Sequence, residues 1–278
     1  MRKFFIFIIT IGLVFGATVY FYNYDQLSGF VQQYVENSEF LTLKARYTPE
    51  QIMEAHKKEL LVDTHHSFQE SSLKLHPYLL MDVKYTYNDK KSREGMILWS
   101  LVDGEMVINT DTWEKTHGFE DAINASASRN DFKLMYALAK NKGSASFEQL
   151  QKDLHLEKET LQMFADSALS KHLVIQKGNE LQLHFQDPKL WVQPETKMHG
   201  SIVKKPYNHA QKVASLYSMN QIQKTAKAAF GDDFTVRNSR EVYLPVYNID
   251  VLNPDGSTFS TYWNAVTGEK MSPRYSLR

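Results

Sequence analysis

The sequence predicts an α+β protein: two helix-plus-antiparallel-sheet modules flanking a small winged-helix-like domain, behind one N-terminal membrane helix. Three observations carry that prediction. The first is a duplication. Leu75-His76-Pro77-Tyr78-Leu79-Leu80-Met81-Asp82-Val83 is answered by Tyr243-Leu244-Pro245-Val246-Tyr247-Asn248-Ile249-Asp250-Val251. Trp99-Ser100-Leu101-Val102-Asp103-Gly104-Glu105 is answered by Trp263-Asn264-Ala265-Val266-Thr267-Gly268-Glu269, and Gln51-Ile52 by Gln221-Ile222. Matched blocks in one order mark an internal repeat, which sets the architecture before any single residue does. The second is a stretch between the copies, 129–187, with helical apolar spacing and no place in the repeat. The third is an uncharged apolar run at the start of the chain, long enough to cross a bilayer as a helix.

Composition narrows the class. The 278 residues are 42% hydrophobic and 13% aromatic, which argues for folded modules rather than disorder. Lys plus Arg equal Asp plus Glu at 32 each, so no bulk charge points to nucleic acid or to an anionic surface. There is no cysteine, which excludes disulfides, thiolate metal sites and cysteine nucleophiles.

Residues 1–3 form a cytoplasmic tip, with Arg2 and Lys3 ahead of the apolar run from Phe4 to Tyr22. The next charges, Asp25, Glu36 and Glu39, are acidic, and the first base afterwards is Lys44. Positive charge before the span and none soon after it places the N-terminus inside and the rest outside. A cleaved signal peptide is the rival reading, but its apolar core is shorter, about 7–15 residues, and no clear A-x-A site follows. Residues 23–39 read as a stalk.

The first module spans 40–125. Phe40 to Tyr47 alternates as a strand. Thr48-Pro49-Glu50-Gln51 opens a helix to about Leu61, with threonine as cap, proline in the first turn and glutamate at the positive end of the dipole. Strands follow near 73–87, 94–101 and 105–110, with Asp103-Gly104 supplying the positive φ of a tight turn. The second module spans 218–278. Ser218 precedes a helix over 219–230, which Gly231 ends, and strands follow near 234–239, 242–252 and 258–265. Asn253-Pro254-Asp255-Gly256 marks the turn between the last two.

A helix followed by an antiparallel meander that ends in Trp-x-x-x-x-Gly-Glu resembles the PepSY family and its YpmB-like relatives. Val242 to Met271, closing in Asn264-Ala265-Val266-Thr267-Gly268-Glu269-Lys270-Met271, carries the resemblance; the first copy has Ser100-Leu101-Val102-Asp103-Gly104 in that place. The resemblance implies a small extracytoplasmic α+β module that binds or inhibits a protein rather than performing chemistry.

In the insert, Phe132, Met135 and Leu138 share one helical face, Phe147, Leu150 and Leu154 a second, and Leu161, Phe164 and Ala168 a third. Leu173 to Phe185, with a Lys177-Gly178-Asn179 turn, reads as a hairpin. Three helices and a hairpin suggest a winged helix-turn-helix. Charge speaks against DNA: 129–187 holds eight basic and eight acidic side chains, and the would-be recognition helix carries Glu157, Glu159 and Asp166. A packing or docking role is expected instead. Residues 188–217, with Pro188, Pro194 and Pro206, read as a linker, either a rigid spacer or part of the second module.

Candidate chemistry is sparse. Asp63, His65 and His66, with His56 and His76 nearby in sequence, are the densest set of possible zinc ligands. Adjacent strand histidines face opposite ways, however, and no H-E-x-x-H pattern is present. His117-Gly118 reads as a loop and Asp232-Asp233 as a helix-ending turn. Asp82 and Asp250 read as one shared structural role, and Trp99 and Trp263 as core anchors. Tyr243, Tyr247 and Tyr262 form a stripe that suits sheet packing better than a binding face. No G-x-S-x-G elbow or glycine-rich phosphate loop occurs. No catalytic, cofactor-binding or metal residue is therefore assigned, and no cofactor.

The expected function is that of a single-pass protein of the cytoplasmic membrane, N-terminus inside. Its extracytoplasmic bulk binds or regulates another membrane, envelope or secreted protein without enzymatic chemistry. Its lipid contact runs through residues 4–22, and it has no nucleic-acid partner. The alternative is a membrane-tethered DNA-binding regulator acting through 129–187. A metal-dependent hydrolase built on Asp63, His65 and His66 is the third reading.

Overall fold

The computed structural model describes residues 39–63, 65–86, 91–206 and 210–271. The tip, the expected membrane helix and the stalk up to residue 38 lie outside the described residues. Among the described residues no helix is long and apolar enough to cross a membrane. The chain divides into two compact units. Met1–Phe40 with Lys204–His209 is described only at the ends of two strands. Leu41–Val203 with Ala210–Arg278 carries the packing that follows.

The protein is α+β. Its first stretch comprises β1 (Glu39–Leu43), α1 (Pro49–Ala55), α2 (Lys57–Leu60), β2 (Ser67–Thr86), β3 (Ser92–Ser100), β4 (Met106–Asn109), β5 (Glu114–Lys115) and α3 (Phe119–Asn124). The insert holds α4 (Arg129–Lys140), β6 (Ser144–Ser146), α5 (Phe147–Leu154), α6 (Lys158–Ser170), β7 (Val174–Lys177) and β8 (Glu180–Leu183). The rest comprises β9 (Ile202–Pro206), β10 (Gln211–Lys212), α7 (Met219–Phe230), β11 (Thr235–Leu252) and β12 (Thr258–Asn264). Among the described residues one sheet runs β5-β4-β3-β2-β11-β1-β9, with β10 also on β2 and β12 on β11.

The two copies share that sheet. β2 and β11 pair antiparallel along nearly their whole lengths, which is why the strand expected near 73–87 emerges longer and those expected near 234–239 and 242–252 emerge as one. His76 lies opposite its own repeat counterpart, Leu244, while Tyr243 faces Pro77 and Pro245 faces Leu75. The pairing therefore has pseudo-twofold symmetry about the His76–Leu244 pair. Even the irregularity is duplicated: register shifts fall between Val236 and Asn238 and between Asp250 and Val251, which leaves the counterparts Arg237 and Gln69 unpaired. Such bulges bend a strand and discourage edge pairing.

Proline in a central strand removes a ladder donor. Here the Pro77 carbonyl accepts from Leu101 N–H at 3.1 Å and the Pro245 carbonyl from Ala265 N–H at 3.1 Å. Each proline thus turns its missing N–H away from the β2–β11 ladder. On β2 the outer neighbour changes there from β10, at Leu75, to β3, at Tyr78. On β11 it changes from β1, at Tyr243, to β12, at Val246. The repeated proline sits at the gap between two neighbours, where no donor is needed.

The helices are exchanged between the copies. Ile222, Ala226 and Ala229 of α7 join one apolar cluster with Leu79, Met81, Val83 and Trp99 of the first copy. Ile52 of α1 and Leu60 of α2 cluster with Ile249, Val251 and Trp263 of the second. The entry to each helix is anchored in matching fashion. The Leu101 carbonyl accepts from Leu216 N–H at 2.8 Å and Tyr217 N–H at 3.0 Å; the Ala265 carbonyl accepts from Arg46 N–H at 2.8 Å and Tyr47 N–H at 3.1 Å. Thr48 with Gln51 and Ser218 with Gln221 both form complete capping boxes. The turns they meet match as well. Gly104 (φ +69°) packs against Tyr217, and Gly268 (φ +77°) against Tyr47, in left-handed conformations that favour glycine. The helix expected to about Leu61 is made by α1 and α2 together, with a one-residue break at His56, whose imidazole lies 4.4 Å from the Trp263 ring.

In the insert, α4, α5 and α6 are followed by the β7–β8 hairpin, to which β6 adds a third strand. Its core is continuous with the first copy: Phe119 lies 4.8 Å from Trp99 and 5.7 Å from Phe132, so no break in packing falls between 125 and 129. Buried Asp131 knots the insert together. It accepts from Ser128 Oγ at 2.7 Å, Ser167 Oγ at 2.9 Å and Lys171 Nζ at 2.5 Å. Within 188–217, left open between spacer and module, the stretch around Thr196 runs along the sheet. Thr196 Oγ1 donates to the Val107 carbonyl and accepts from Leu98 N–H, and Leu190 is buried in the insert-side core.

Arg129 fastens α4 to α7. Its Nη1 donates to the carbonyls of Ala228 at 3.2 Å and Ala229 at 2.5 Å, satisfying the end of α7, and its guanidinium fills the space over Gly231 (φ +94°). A Cβ on Gly231 would stand 2.5 Å from Arg129 Nη2. Gly231→Ala is expected to lower stability by about 1–2 kcal/mol through backbone strain and loss of these caps. A thermal melt checks this, and an unchanged midpoint contradicts it.

Candidate functional site

The residues that sequence singled out do not converge. Asp63 Oδ1 accepts from His65 N–H at 2.8 Å and lies 2.8 Å from His66 Nδ1, a local turn. These bonds hold the Asp63 carboxyl below its ordinary value, the His66 bond contributing most. His56 is committed to Trp263. His76 lies at the centre of the β2–β11 pairing, where burial, with Lys115 and Lys74 nearby, pushes its imidazole down to about 4. Among the described residues no three His, Cys, Asp or Glu side chains are grouped to hold a metal ion.

The other candidates take structural positions. Trp99 and Trp263 are fully buried. Asp82 accepts from Arg240 Nη1 at 3.1 Å, and Asp250 from Ser260 Oγ at 2.5 Å, so both tie neighbouring strands together. Tyr243 and Tyr262 are buried, and Tyr247 donates to the Tyr47 carbonyl at 3.2 Å. His117 N–H donates to the Lys189 carbonyl at 3.2 Å. Asp232 and Asp233 follow α7, as expected, and are exposed.

The copies diverge at one acid. Glu105 is buried and accepts from Thr116 Oγ1 at 2.6 Å, Gly118 N–H at 2.8 Å and Glu120 N–H at 3.1 Å, holding the start of α3; its counterpart Glu269 is exposed. Beneath the first copy's turn, Lys115 Nζ meets Asp103 Oδ2 at 2.7 Å and lies 5.4 Å from the Tyr78 ring centre. The pair fastens β5 to the turn.

An open groove lies where the insert meets both copies. It has a volume of about 800 Å³ and runs between α4, the end of α7, the end of β2 and the segment 191–194. Phe230, Ala229, Ala137 and Tyr136 form apolar lining, and Tyr136 is positioned by its hydroxyl, which donates to the Ala229 carbonyl at 3.1 Å. Burial raises the Tyr136 phenol well above its ordinary range, so it stays a neutral donor. Trp191 stands over the groove edge-on to Tyr136, with centroids 5.7 Å apart, yet is 71% exposed. An indole left in water is the kind of side chain that anchors interfaces.

The groove is charged on two sides. Arg129, Lys133 and Lys140 stand on α4, while Asp232 and Asp233 follow α7. Arg129 is spent on the α7 carbonyls. Asp153, beside Lys140, accepts from Asn141 Nδ2 at 2.7 Å and Gln149 Nε2 at 2.8 Å, which lower its pKa. Lys133, Lys140, Asp232 and Asp233 make no ion pair among the described residues. Sequence reasoning passed over this site, although two signals were legible. Arg129, Lys133, Tyr136 and Lys140 follow the helical spacing opposite Phe132, Met135 and Leu138, and Trp191 stands in an otherwise polar, proline-bearing segment.

No protein-family model, no curated protein and no solved structure matches this chain.

Proposed function

We propose that the chain is a membrane-anchored, extracytoplasmic, non-enzymatic protein that binds or regulates another envelope or secreted protein. The observation that carries this reading is the groove under Trp191: an accessible apolar floor, an exposed indole and charges without an ion-pair partner among the described residues, assembled where the insert meets both copies. Standard interfaces concentrate their energy in such aromatic anchors. The basic residues ahead of Phe4–Tyr22 and the acids after it support an anchor with the bulk outside. The motif resemblance to the PepSY family supports binding rather than chemistry. The element order of 129–187 supports a winged-helix-like domain used for packing, since α4 is engaged by α7.

Two measurements test this. A reporter fused after Arg278 that is active only outside the cytoplasm is expected to be active, with the protein retained in membranes. A photo-crosslinking amino acid at Trp191 is expected to yield one discrete adduct with a second envelope or secreted protein, while the same probe at Ile175, exposed on β7, yields none. A reporter active only inside overturns the placement and favours the DNA-binding alternative. Equal capture from both positions overturns the docking site.

A further inference from the structure

We infer that the occupant of the groove is a short extended segment of the partner protein, carrying an aromatic or large aliphatic anchor between an acidic and a basic side chain. This rests on the docking reading above and specifies its ligand.

Size comes first. Arg129 to Lys140 spans about 16 Å of helix at 1.5 Å per residue. An extended chain rises about 3.3 Å per residue, so four or five residues fill that length. The floor then selects the centre of the segment. Tyr136 and Phe230 leave an apolar lining beside Trp191, and that indole is 71% exposed until something covers it. An aromatic ring packed edge-to-face there buries area that water now wets.

Charge selects the flanks. Lys133 and Lys140 are exposed on α4, about two turns apart, and Asp232 and Asp233 are exposed on the turn after α7. Gly231 touches Arg129, so the aspartates lie toward the N-terminal end of α4. Both pairs are without an ion-pair partner among the described residues. The remaining charges are oriented by neutral groups, Arg129 by the α7 carbonyls and Asp153 by Asn141 and Gln149, and Asp153 offsets part of the charge of neighbouring Lys140. The free walls of the groove thus have opposite sign. In an extended segment the residues either side of the anchor share one face, so an acid and a base flanking it follow one another along the groove, the base toward the aspartates near the start of α4 and the acid toward the lysines. A wholly acidic or wholly basic segment leaves one wall facing like charge.

The test uses the full chain in detergent micelles and fluorescent hexapeptides with one central Phe, read by anisotropy. The flanking charges are one Lys and one Glu, two Glu, two Lys, or two Ser. The mixed-charge peptide is expected to bind at least tenfold more tightly than the others, and Trp191→Ala to weaken it at least tenfold. Lys133→Glu with Lys140→Glu is expected to move the preference to the two-Lys peptide, and Asp232→Lys with Asp233→Lys to the two-Glu peptide. All these positions are exposed, and circular dichroism checks that each variant folds. Binding that needs Trp191 but ignores charge overturns the inference and leaves the docking reading intact. Failure of every peptide, with the Trp191 crosslink still formed, shows that the occupant is not an extended segment. Failure of both removes the docking reading as well.

Discussion

Ile222→Ala is expected to cost about 2–5 kcal/mol and to loosen the first copy's strands, although Ile222 belongs in sequence to the second. The side chain is fully buried on α7, in one cluster with Leu79, Met81 and Trp99. Its removal leaves a cavity in the cluster built on β2 and β3, which β11 borders at Val236, near its start. Ile52→Ala is the mirror experiment. Ile52 is buried with Ile249, Val251 and Trp263, so its loss is expected to loosen the second copy. Hydrogen exchange read by mass spectrometry separates the two effects, because local opening reports where contacts were lost. Faster exchange over Leu79–Val83 in Ile222→Ala, and over Ile249–Val251 in Ile52→Ala, is the expected pattern. If each variant instead loosens its own copy, the helix exchange is wrong.

Asp131→Ala is expected to cost about 3 kcal/mol and to unfold the insert first. The carboxylate is fully buried, caps α4 through Ser128, and binds Ser167 and Lys171 of the α6 end. Truncation strands those donors, and breaking a buried pair costs more than the pair contributes. The same carboxylate gives the stability a pH signature. Burial opposes its ionisation, but the bonds from Lys171, Ser128 and Ser167 outweigh it and hold the pKa below the ordinary value. A depressed pKa means stability that is complete above the unfolded value, about 3.9, and is lost as pH falls through the lower folded value. Denaturant midpoints followed from pH 6 to pH 2 are expected to show this loss for the wild type and to lack that component in Asp131→Ala. Parallel pH profiles for the two proteins would rule the assignment out.

Much of the fold was legible because it rests on local interactions. Capping at Thr48 and Ser218, the Asp-Gly and Pro-Asp-Gly turns and the apolar stripes of α4, α5 and α6 each involve residues a few positions apart. The expected helix over 219–230 coincides with α7. A boundary moved where distant pairing intervened: β2 begins at Ser67 because β11 holds it extended to that point. The groove was out of reach for the same reason. Its walls come from α4, α7, β2 and 191–194, and Arg129 reaches α7 carbonyls a hundred residues further along the chain.

From the amino-acid order alone come the duplication, the α+β class, the succession of elements and the insert between the copies. Those follow from periodicity and capping, whose energies depend on near neighbours. Which helix lies over which copy's strands is a different kind of fact. Both helices carry a capped Gln-Ile start, and both meanders offer a Trp and matching aliphatic positions. Either pairing can set an Ile against a Trp, so the local pattern does not choose between them. The choice belongs to the folded molecule. β2 and β11 join about the His76–Leu244 pair, and the main-chain bonds at Leu101 and Ala265 then deliver each helix to the opposite copy.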